Sequence, residues 1–254
     1  MKISVITACF NSEATIRDAI ESVLSQTWED VEYILVDGAS TDGTMDIVRE
    51  YGGRISQVIS EPDKGIYDAL NKGINAATGD LVGFLHSDDL FANSSVLSCI
   101  ASKAGDGDPQ ESLSCDAVYG DLNYVSASDT SRVVRRWISR PFTPELLSRG
   151  WMPAHPTLYL KREVYRELGG FDLSYRIAAD YESILRYFSK PGFKACYIQE
   201  TLITMRLGGA SNGSVSSILR KSREDFRALR KNSIPHPLIA LAWKNFSKLP
   251  QFFK

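Results

Sequence analysis

Five aspartates stand where a carboxylate can reach a bound ligand. Asp37 and Asp63 lie in polar turns that follow short apolar runs, and the adjacent Asp88 and Asp89 follow another such run. Asp180 lies at the start of a helical pattern. Carboxylate oxygens are hard ligands, so the adjacent pair has the chemistry to hold a divalent cation. An aspartate in the first turn of a helix can act as a general base, although the helix dipole alone also favours a negative charge there.

Short apolar runs and helical patterns alternate over the first ninety residues. The runs at 3–9, 31–36, 55–59 and 81–85 predict strands, the first of them fully buried, with helices between them. This alternation is typical of βαβ units around a parallel sheet. Ligands of open α/β sheets bind beyond the carboxyl ends of the strands, so we expect the strand-end aspartates to meet at one edge.

The second half of the chain has a different pattern. Residues 117–125 and 132–138 predict antiparallel strands, and residues 157–160 predict a further strand before a short helix. The helix predicted from about Ala179 has one apolar face, and Asp180 points away from that face. Its carboxylate can therefore reach a cleft.

Composition and charge narrow the class of protein. With 254 residues and 43% hydrophobic residues the chain can bury a sizeable core, and its net charge of −2 argues against a nucleic-acid binder. There is no run of eighteen apolar residues, and the apolar start at 3–10 is too short for a signal peptide, so we expect a cytoplasmic protein. We expect reduced thiols, without a zinc site or disulfides, at the widely spaced Cys9, Cys99, Cys115 and Cys196.

Five segments, in this order along the chain, resemble the motifs of family 2 glycosyltransferases. They are residues 5–11, 36–44, 60–73, 84–89 and 169–172. The resemblance covers about residues 1 to 215. It implies the GT-A fold, an α/β fold with a Rossmann-like, mostly parallel sheet flanked by helices. A smaller antiparallel acceptor-side portion and a C-terminal helical tail complete the expected architecture.

The resemblance also implies how the chain is divided. We expect a glycosyltransferase domain at 1–215, with a nucleotide-binding half at 1–104 and an acceptor and catalytic half at 115–215. The polar stretch 105–114 separates the halves. Residues 216–254 then form a basic, amphipathic helical tail.

The tail differs in character from the rest of the chain. Residues 220–254 carry nine Lys or Arg and two acids, a net charge of +7. In a helix, Ile239, Trp243 and Phe246 would share one face, as in interfacial helices. Peripheral attachment of 236–254 to an anionic membrane surface is one interpretation. The other is a terminal helix packed on its own domain with a solvated basic face.

The resemblance implies inverting transfer of one sugar from a UDP- or GDP-sugar to an acceptor hydroxyl. The leaving nucleoside diphosphate is negatively charged, and a divalent cation neutralises it as a Lewis acid. Asp89 matches the ligand of Mn²⁺ or Mg²⁺, while Asp88 shares the metal or contacts the ribose; capping of the following helix is the alternative for both. Asp180 matches the base that deprotonates the acceptor hydroxyl.

Five residues match the nucleotide pocket of the family: Thr7, Ala8, Asn11, Asp37 and Asp63. For Asp37 and Asp63 the alternative is a purely local role, in capping a helix or shaping a turn. Next to the acceptor, His155 matches a family histidine in the active-site wall, and stacking on a sugar ring is one interpretation of Trp151. A buried core histidine and a packing tryptophan are the alternatives there.

The chain departs from the family pattern at two positions, Gly38 and His86, where acids are common. The first departure leaves the choice between UDP and GDP open, and His86 either coordinates the metal or ends the strand. The motif series resembles enzymes of colanic acid, capsule and O-antigen synthesis, which implies a lipid-linked oligosaccharide acceptor at the inner face of the cytoplasmic membrane. A sugar-nucleotide-binding module without transferase activity is the competing interpretation.

Overall fold

One mixed sheet runs through the chain. The computed structural model describes residues 1–105, 114–208 and 215–247. Within these ranges the strands are β1 (Ile3–Cys9), β2 (Val31–Asp37), β3 (Gln57–Ser60), β4 (Leu81–Phe84), β5 (Asp89–Phe91), β6 (Ala117–Val125), β7 (Val133–Trp137), β8 (Tyr159–Lys161) and β9 (Ala195–Arg206). Their order across the sheet is β3-β2-β1-β4-β8-β6-β9-β5, and β7 also pairs with β6.

Helices cover both faces of this sheet. They are α1 (Ile16–Leu24), α2 (Thr44–Glu50), α3 (Ile66–Ala76), α4 (Val96–Ala104), α5 (Arg162–Leu168), α6 (Ala179–Phe188), α7 (Val215–Lys231) and α8 (Pro237–Phe246). Buried residues of α1, α2 and α4 form one core with the sheet, and those of α3, α5, α6, α7 and α8 form the other. Strands covered on both faces are expected to be apolar throughout, and β1 is buried at all seven positions.

The four strands predicted in the first ninety residues are confirmed. Strands β1, β2, β3 and β4 pair in parallel, with β1 between β2 and β4. The carboxyl ends of β1, β2 and β3 meet at one edge, because Cys9 pairs with Asp37 and Asp37 pairs with Ser60.

Antiparallel pairing enters in the second half, as predicted. Strands β6 and β7 form an antiparallel pair, and β8 joins β4 to β6 in antiparallel register. Strands β5 and β9 were not predicted from the sequence. In the twelve-residue β9, the exposed polar residues Gln199 and Glu200 interrupt the apolar alternation that would indicate a strand.

The expectation of four reduced thiols is wrong for two cysteines. Cys115 and Cys196 form a disulfide, with their Cα atoms 6.0 Å apart. The sequence does not indicate this pairing, because the two cysteines are 81 residues apart and come together only through the pairing of β6 with β9. Cys9 and Cys99 remain free thiols.

The C-terminal helices pack on the half of the chain that carries Asp180. Lys231 of α7 forms ion pairs with Asp172 and with Glu182 of α6. Helix α8 lies against Gly150, where an added Cβ would collide with the backbone of Ala240. Most of the predicted 105–114 linker, and residues 248–254 of the tail, lie outside the described residues.

The polarity of α8 is inverted relative to a normal packed helix. Lys244 is buried with 3% exposure, and its Nζ lies 2.7 Å from Asp225 Oδ1. The exposed side chains are apolar: Leu238 at 70%, Ile239 at 55%, Trp243 at 57% and Phe246 at 64%. The expected solvated basic face is therefore wrong for Lys244. In the described part of the chain, no helix is long and apolar enough to cross a membrane.

Candidate active site

Asp37 ends β2 with its carboxylate fully buried. It accepts hydrogen bonds from the Ser40 backbone N–H at 3.1 Å and from the hydroxyls of Ser40 at 2.5 Å and Ser60 at 2.7 Å. These contacts join the turn after β2 to the end of β3. The local role that the sequence left open is thus present, and direct contact with a nucleotide stays a prediction.

The three predicted pocket residues near β1 differ in accessibility. Thr7 is buried, and its hydroxyl oxygen lies 3.2 Å from the Tyr33 hydroxyl; Ala8 is buried as well. Asn11 is exposed, and its side-chain oxygen accepts the Thr41 backbone N–H at 2.9 Å. Of the three side chains, only that of Asn11 is open to a ligand.

Asp63 fills the space that an acid at position 38 would need. An added Cβ on Gly38 would collide with Asp63 Oδ2 and lie 3.4 Å from Phe10. Asp63 Oδ1 accepts the Gly65 backbone N–H at 2.7 Å. Asp63 thus supplies a carboxylate beside Gly38, where the family pattern has its second acid.

Asp89 has the environment of a carboxylate that lacks a counter-ion. Its side chain is completely buried, and neither carboxylate oxygen accepts a well-aligned hydrogen bond from a residue that the structure describes. Burial, with a smaller contribution from the Asp88 charge, raises the pKa of Asp89 well above its ordinary value, and Arg206 offsets this only in part. A bound cation would remove that cost, so the residue fits a metal ligand.

Asp88 lies next to this buried carboxylate and is half-buried. Its backbone oxygen accepts a hydrogen bond from Arg206 at 3.1 Å, and Arg206 also pairs with Asp18. No group of three or more His, Cys, Asp or Glu side chains is placed to hold a metal within the described ranges. A site of one or two carboxylates suits a cation that takes its remaining ligands from phosphates.

Two histidines face this region. The ring centroids of His86 and His155 are 6.2 Å apart, and His155 stacks on Phe84 at 5.4 Å. Burial lowers the pKa of His155 to about 4, although the Asp180 charge acts in the opposite direction. Burial also lowers the pKa of His86, against the charges of Asp88 and Asp180. Both rings are therefore neutral near pH 7.

Asp180 begins α6 and is half-buried. Its Oδ1 accepts the Tyr181 backbone N–H at 2.8 Å and lies 3.4 Å from the Tyr67 hydroxyl. No described residue donates a hydrogen bond to Oδ2, which leaves that atom open to a ligand. Tyr67 also donates to the Ile177 backbone oxygen at 2.8 Å. Helix α3 thus holds the start of α6.

Two of the resembling motifs interlock to carry the segment before α6. The Asn71 side chain accepts the Phe171 backbone N–H at 2.8 Å and donates to the Phe171 oxygen at 2.9 Å. An added Cβ on Gly170 would collide with Asn71, so the close approach requires glycine there. These motif residues position the site and do not line it.

Glu182 also differs from its expected surroundings. The sequence predicts an exposed helical pair with Arg186. The pair is present at 3.0 Å, but Glu182 is completely buried and binds Lys231 at 2.9 Å as well.

Trp151 packs within an aromatic cluster. Its ring lies 5.8 Å from Tyr119, 5.9 Å from Phe142 and 6.2 Å from Phe188, measured between centroids. These contacts favour the packing alternative. Stacking of Trp151 on a sugar stays a prediction.

Sequence reasoning missed three residues of the site: Tyr67, Tyr124 and Arg206. The charges of Asp89 and Asp180 both act on Tyr124, and the Arg135 guanidinium lies 4.6 Å from its ring centroid. Tyr67 stands within a resembling motif, which was a usable indication. Nothing in the sequence pattern distinguishes Tyr124 or Arg206 from ordinary strand residues.

Comparison with known proteins decides the family. Residues 4–167, more than half of the chain, match the family described as Glycosyl transferase family 2. The chain belongs to this family. One relative of this family 2 glycosyltransferase is a PGL/p-HBAD biosynthesis glycosyltransferase of Mycobacterium bovis. The two chains are 30% identical over 213 residues, which are 82% of this chain and 78% of the relative. The putative glycosyltransferase EpsE of Bacillus subtilis is 31% identical over 211 residues, 81% and 73% of the two chains.

Solved structures share the fold of this family 2 glycosyltransferase. TarS 1-349 of S. aureus superimposes with a TM-score of 0.72 at 18% identity, covering 98% of this chain and 72% of that one. The mannosyltransferase PcManGT from Pyrobaculum calidifontis, solved with GDP-Man and Mn²⁺, gives a TM-score of 0.64 at 20% identity, with 98% and 70% covered. The predicted GT-A fold is thereby confirmed.

Proposed function

We propose that this glycosyltransferase moves one sugar from a UDP- or GDP-sugar to a hydroxyl of a lipid-linked oligosaccharide, with inversion at the anomeric carbon. The observation that carries the proposal is the convergence of Asp180 with the Asp88-Asp89 pair. The charges of Asp88 and Asp180 both act on His86, and those of Asp89 and Asp180 both act on Tyr124. Groups suited to bind a leaving diphosphate and to accept a proton thus share one region.

In this proposal the donor half binds the nucleotide sugar and holds the cation. Asp89 and Asp88 would hold Mn²⁺ or Mg²⁺, and the bound cation supplies Lewis-acid neutralisation of the leaving diphosphate. Asn11 and Asp63 offer polar atoms at the carboxyl edge of the sheet, beside Asp37. The structures of TarS with UDP-GlcNAc and of PcManGT with GDP-Man support a nucleotide-sugar donor. They leave the choice between UDP and GDP to experiment.

Asp180 acts as the base in this proposal. Its Oδ1 accepts the Tyr181 N–H and lies 3.4 Å from the Tyr67 hydroxyl, whose proton goes to the Ile177 backbone oxygen at 2.8 Å. In this proposal Oδ2 accepts the proton of the acceptor hydroxyl. That hydroxyl attacks the anomeric carbon from the face opposite the leaving diphosphate. One base suffices for such a displacement, and the neutral His155 forms part of the wall beside it.

The surface of α8 supports a membrane-bound acceptor. Its exposed apolar row, Leu238, Ile239, Trp243 and Phe246, has the composition of an interfacial helix. The row belongs to a segment, 220–254, with a net charge of +7. An anionic bilayer surface matches both properties, and a lipid-linked bacterial polysaccharide intermediate is the acceptor that such a surface presents.

Thermal unfolding with nucleotides tests the donor half of the proposal. We expect UDP or GDP, but not CMP or dTDP, to raise the melting temperature in Mn²⁺ and not in a chelator, because a ligand of the folded state stabilises it. The stabilising base then selects the sugar nucleotides for turnover assays. Donor binding without turnover would favour the binding module, and release of pyrophosphate would indicate nucleotidyl transfer.

A further inference from the structure

Glu224 of α7 holds the loop that precedes the proposed base. Its carboxylate accepts three consecutive backbone N–H groups: Arg176 at 3.1 Å, Ile177 at 2.9 Å and Ala178 at 3.0 Å. Backbone donors at the start of a helix lack intrahelical partners. The N-cap residue of α6 is Ala178, whose side chain cannot accept a hydrogen bond. Glu224, 44 residues beyond Asp180 in the chain, accepts the N–H of this residue and of the two residues before it.

The same loop is held from its other side by α3. The Ile177 backbone oxygen accepts the Tyr67 hydroxyl at 2.8 Å, while its N–H donates to Glu224. The peptide units on both sides of Ile177 are therefore fixed, and Asp180 follows three residues later. Since a shift of about 1 Å in a reacting group can cost a hundredfold in rate, this clamp bears directly on the chemistry.

We infer that Glu224 is a positioning residue, which sets the orientation of Asp180 through the backbone of 176–178. The C-terminal segment is then part of the catalytic apparatus as well as a membrane contact. This inference rests on the proposed role of Asp180 as the base.

Other contacts keep α7 in place independently of Glu224. Asp225 pairs with Lys244 at 2.7 Å and with Lys221 at 3.1 Å, and Lys231 pairs with Glu182. The α7 residues Ala228 and Leu229 are fully buried. Loss of the Glu224 hydrogen bonds should thus loosen the loop without detaching the helix.

The test is a double-mutant cycle of Glu224→Ala and Asp180→Asn in the full chain. Turnover is measured as release of nucleoside diphosphate from UDP-GlcNAc and from GDP-mannose with Mn²⁺, using the donor that is turned over. We expect Glu224→Ala, which removes all three hydrogen bonds, to lower kcat about tenfold or more, with KM for the donor within about twofold of wild type. In the Asp180→Asn background it should cost nothing further. Arg223→Ala, an exposed neighbour on α7, is the matched control and should keep the wild-type kcat.

The outcomes separate the two claims. Full activity of Glu224→Ala beside a slow Asp180→Asn would overturn the positioning role alone, as would an equal further loss in the Asp180→Asn background. Full activity of Asp180→Asn would overturn the base itself. The amide oxygen of Glu224→Gln can still accept at the position of Oε2, so this conservative variant should retain more of the wild-type kcat than Glu224→Ala. A glutamine variant that loses more kcat than the alanine variant would also overturn the inference.

Discussion

The hydroxyl of Tyr67 lies 3.4 Å from Oδ1 of Asp180, so a residue of the nucleotide-binding half touches the proposed base of the acceptor half. The two residues are 113 positions apart. Burial, together with the Asp180 charge, raises the pKa of Tyr67 far above its ordinary value, so the hydroxyl stays protonated and can donate. Residues 1–104 and 115–215, predicted to be the nucleotide-binding and acceptor halves, therefore meet beside the proposed base.

Replacing Asp180 by Asn should remove the proton acceptor while keeping the donor site. We expect sugar transfer to fall about 10²- to 10⁴-fold, the usual contribution of a general base. Nucleotide binding, measured by thermal shift, should match that of wild type. Asp46→Asn, a change at an exposed acid of α2, is the control. Transfer at the wild-type rate by Asp180→Asn would exclude this residue as the base.

Replacing Asp89 by Asn should abolish metal-dependent stabilisation. The wild-type protein without metal has a buried carboxylate with no hydrogen-bond partner, and its neutral isostere avoids that cost. Without metal, the variant should therefore melt at the same temperature as wild type or above it. The check is the melting temperature with Mn²⁺ plus nucleotide and with a chelator. If Mn²⁺ plus nucleotide raised the melting temperature of the variant as much as that of wild type, the metal would bind at another site.

The buried His155 should make the protein sensitive to acid. Its pKa is about 4 in the folded state and near 6.5 when unfolded, so the unfolded state binds more protons between these values. Stability should be complete above about pH 6.5 and fall towards pH 4, by about 3 kcal/mol at most. Denaturant unfolding of wild type and His155→Gln over this range measures the difference. Equal pH slopes for the two proteins would contradict the assignment. The neighbouring His86 is present in both proteins, so the comparison removes most of its contribution.

The Lys244–Asp225 pair should hold α8 on the domain. Lys244→Met leaves the buried Asp225 carboxylate with Lys221 as its remaining ion-pair partner among the described residues, which we expect to cost about 3 kcal/mol. Limited proteolysis should then cut near α8 sooner than in wild type. Asn245→Ala, at an exposed position of the same helix, is the control. An unchanged cleavage pattern and unchanged stability would show that α8 does not depend on this pair.

The exposed row of α8 should bind anionic bilayers. Trp243→Ser with Phe246→Ser removes two large apolar side chains that are 57% and 64% exposed, so the fold should not change. We expect wild type to sediment with vesicles rich in phosphatidylglycerol more than with phosphatidylcholine, and less as salt rises. The double variant should lose most of this binding. If the row instead joins two copies of the chain, the wild type would be dimeric without lipid and the variant monomeric.

Apolar periodicity was enough to place β1, β2, β4 and α6, since these elements are buried along most of their length or on one face. It also indicated β3, although that strand is largely exposed. The strand-end position of Asp88 and Asp89 followed from this pattern, whereas their association with Asp180 came from the family resemblance. The pattern could not show that the Asp37 carboxylate accepts the Ser60 hydroxyl, because these residues are 23 positions apart.

The C-terminal segment shows the same limit more strongly. A helical projection correctly separates Lys244 from Trp243, but it does not say which face meets the domain. That choice depends on Asp225, a partner on another helix. Likewise, Glu224 has no sequence signature of its own, since its three donors are backbone groups of a distant loop.

The most direct test of the account is the anomeric outcome of turnover. The donor selected by thermal shift is incubated with enzyme and Mn²⁺, and NMR identifies the first anomer released to water or to a membrane-extracted acceptor. We predict the configuration opposite to that of the donor, nucleoside diphosphate as the other product, and turnover by Asp180→Asn that is slower by about a hundredfold or more. A product with retained configuration, or turnover at the wild-type rate without Asp180, would contradict single-displacement transfer by this site.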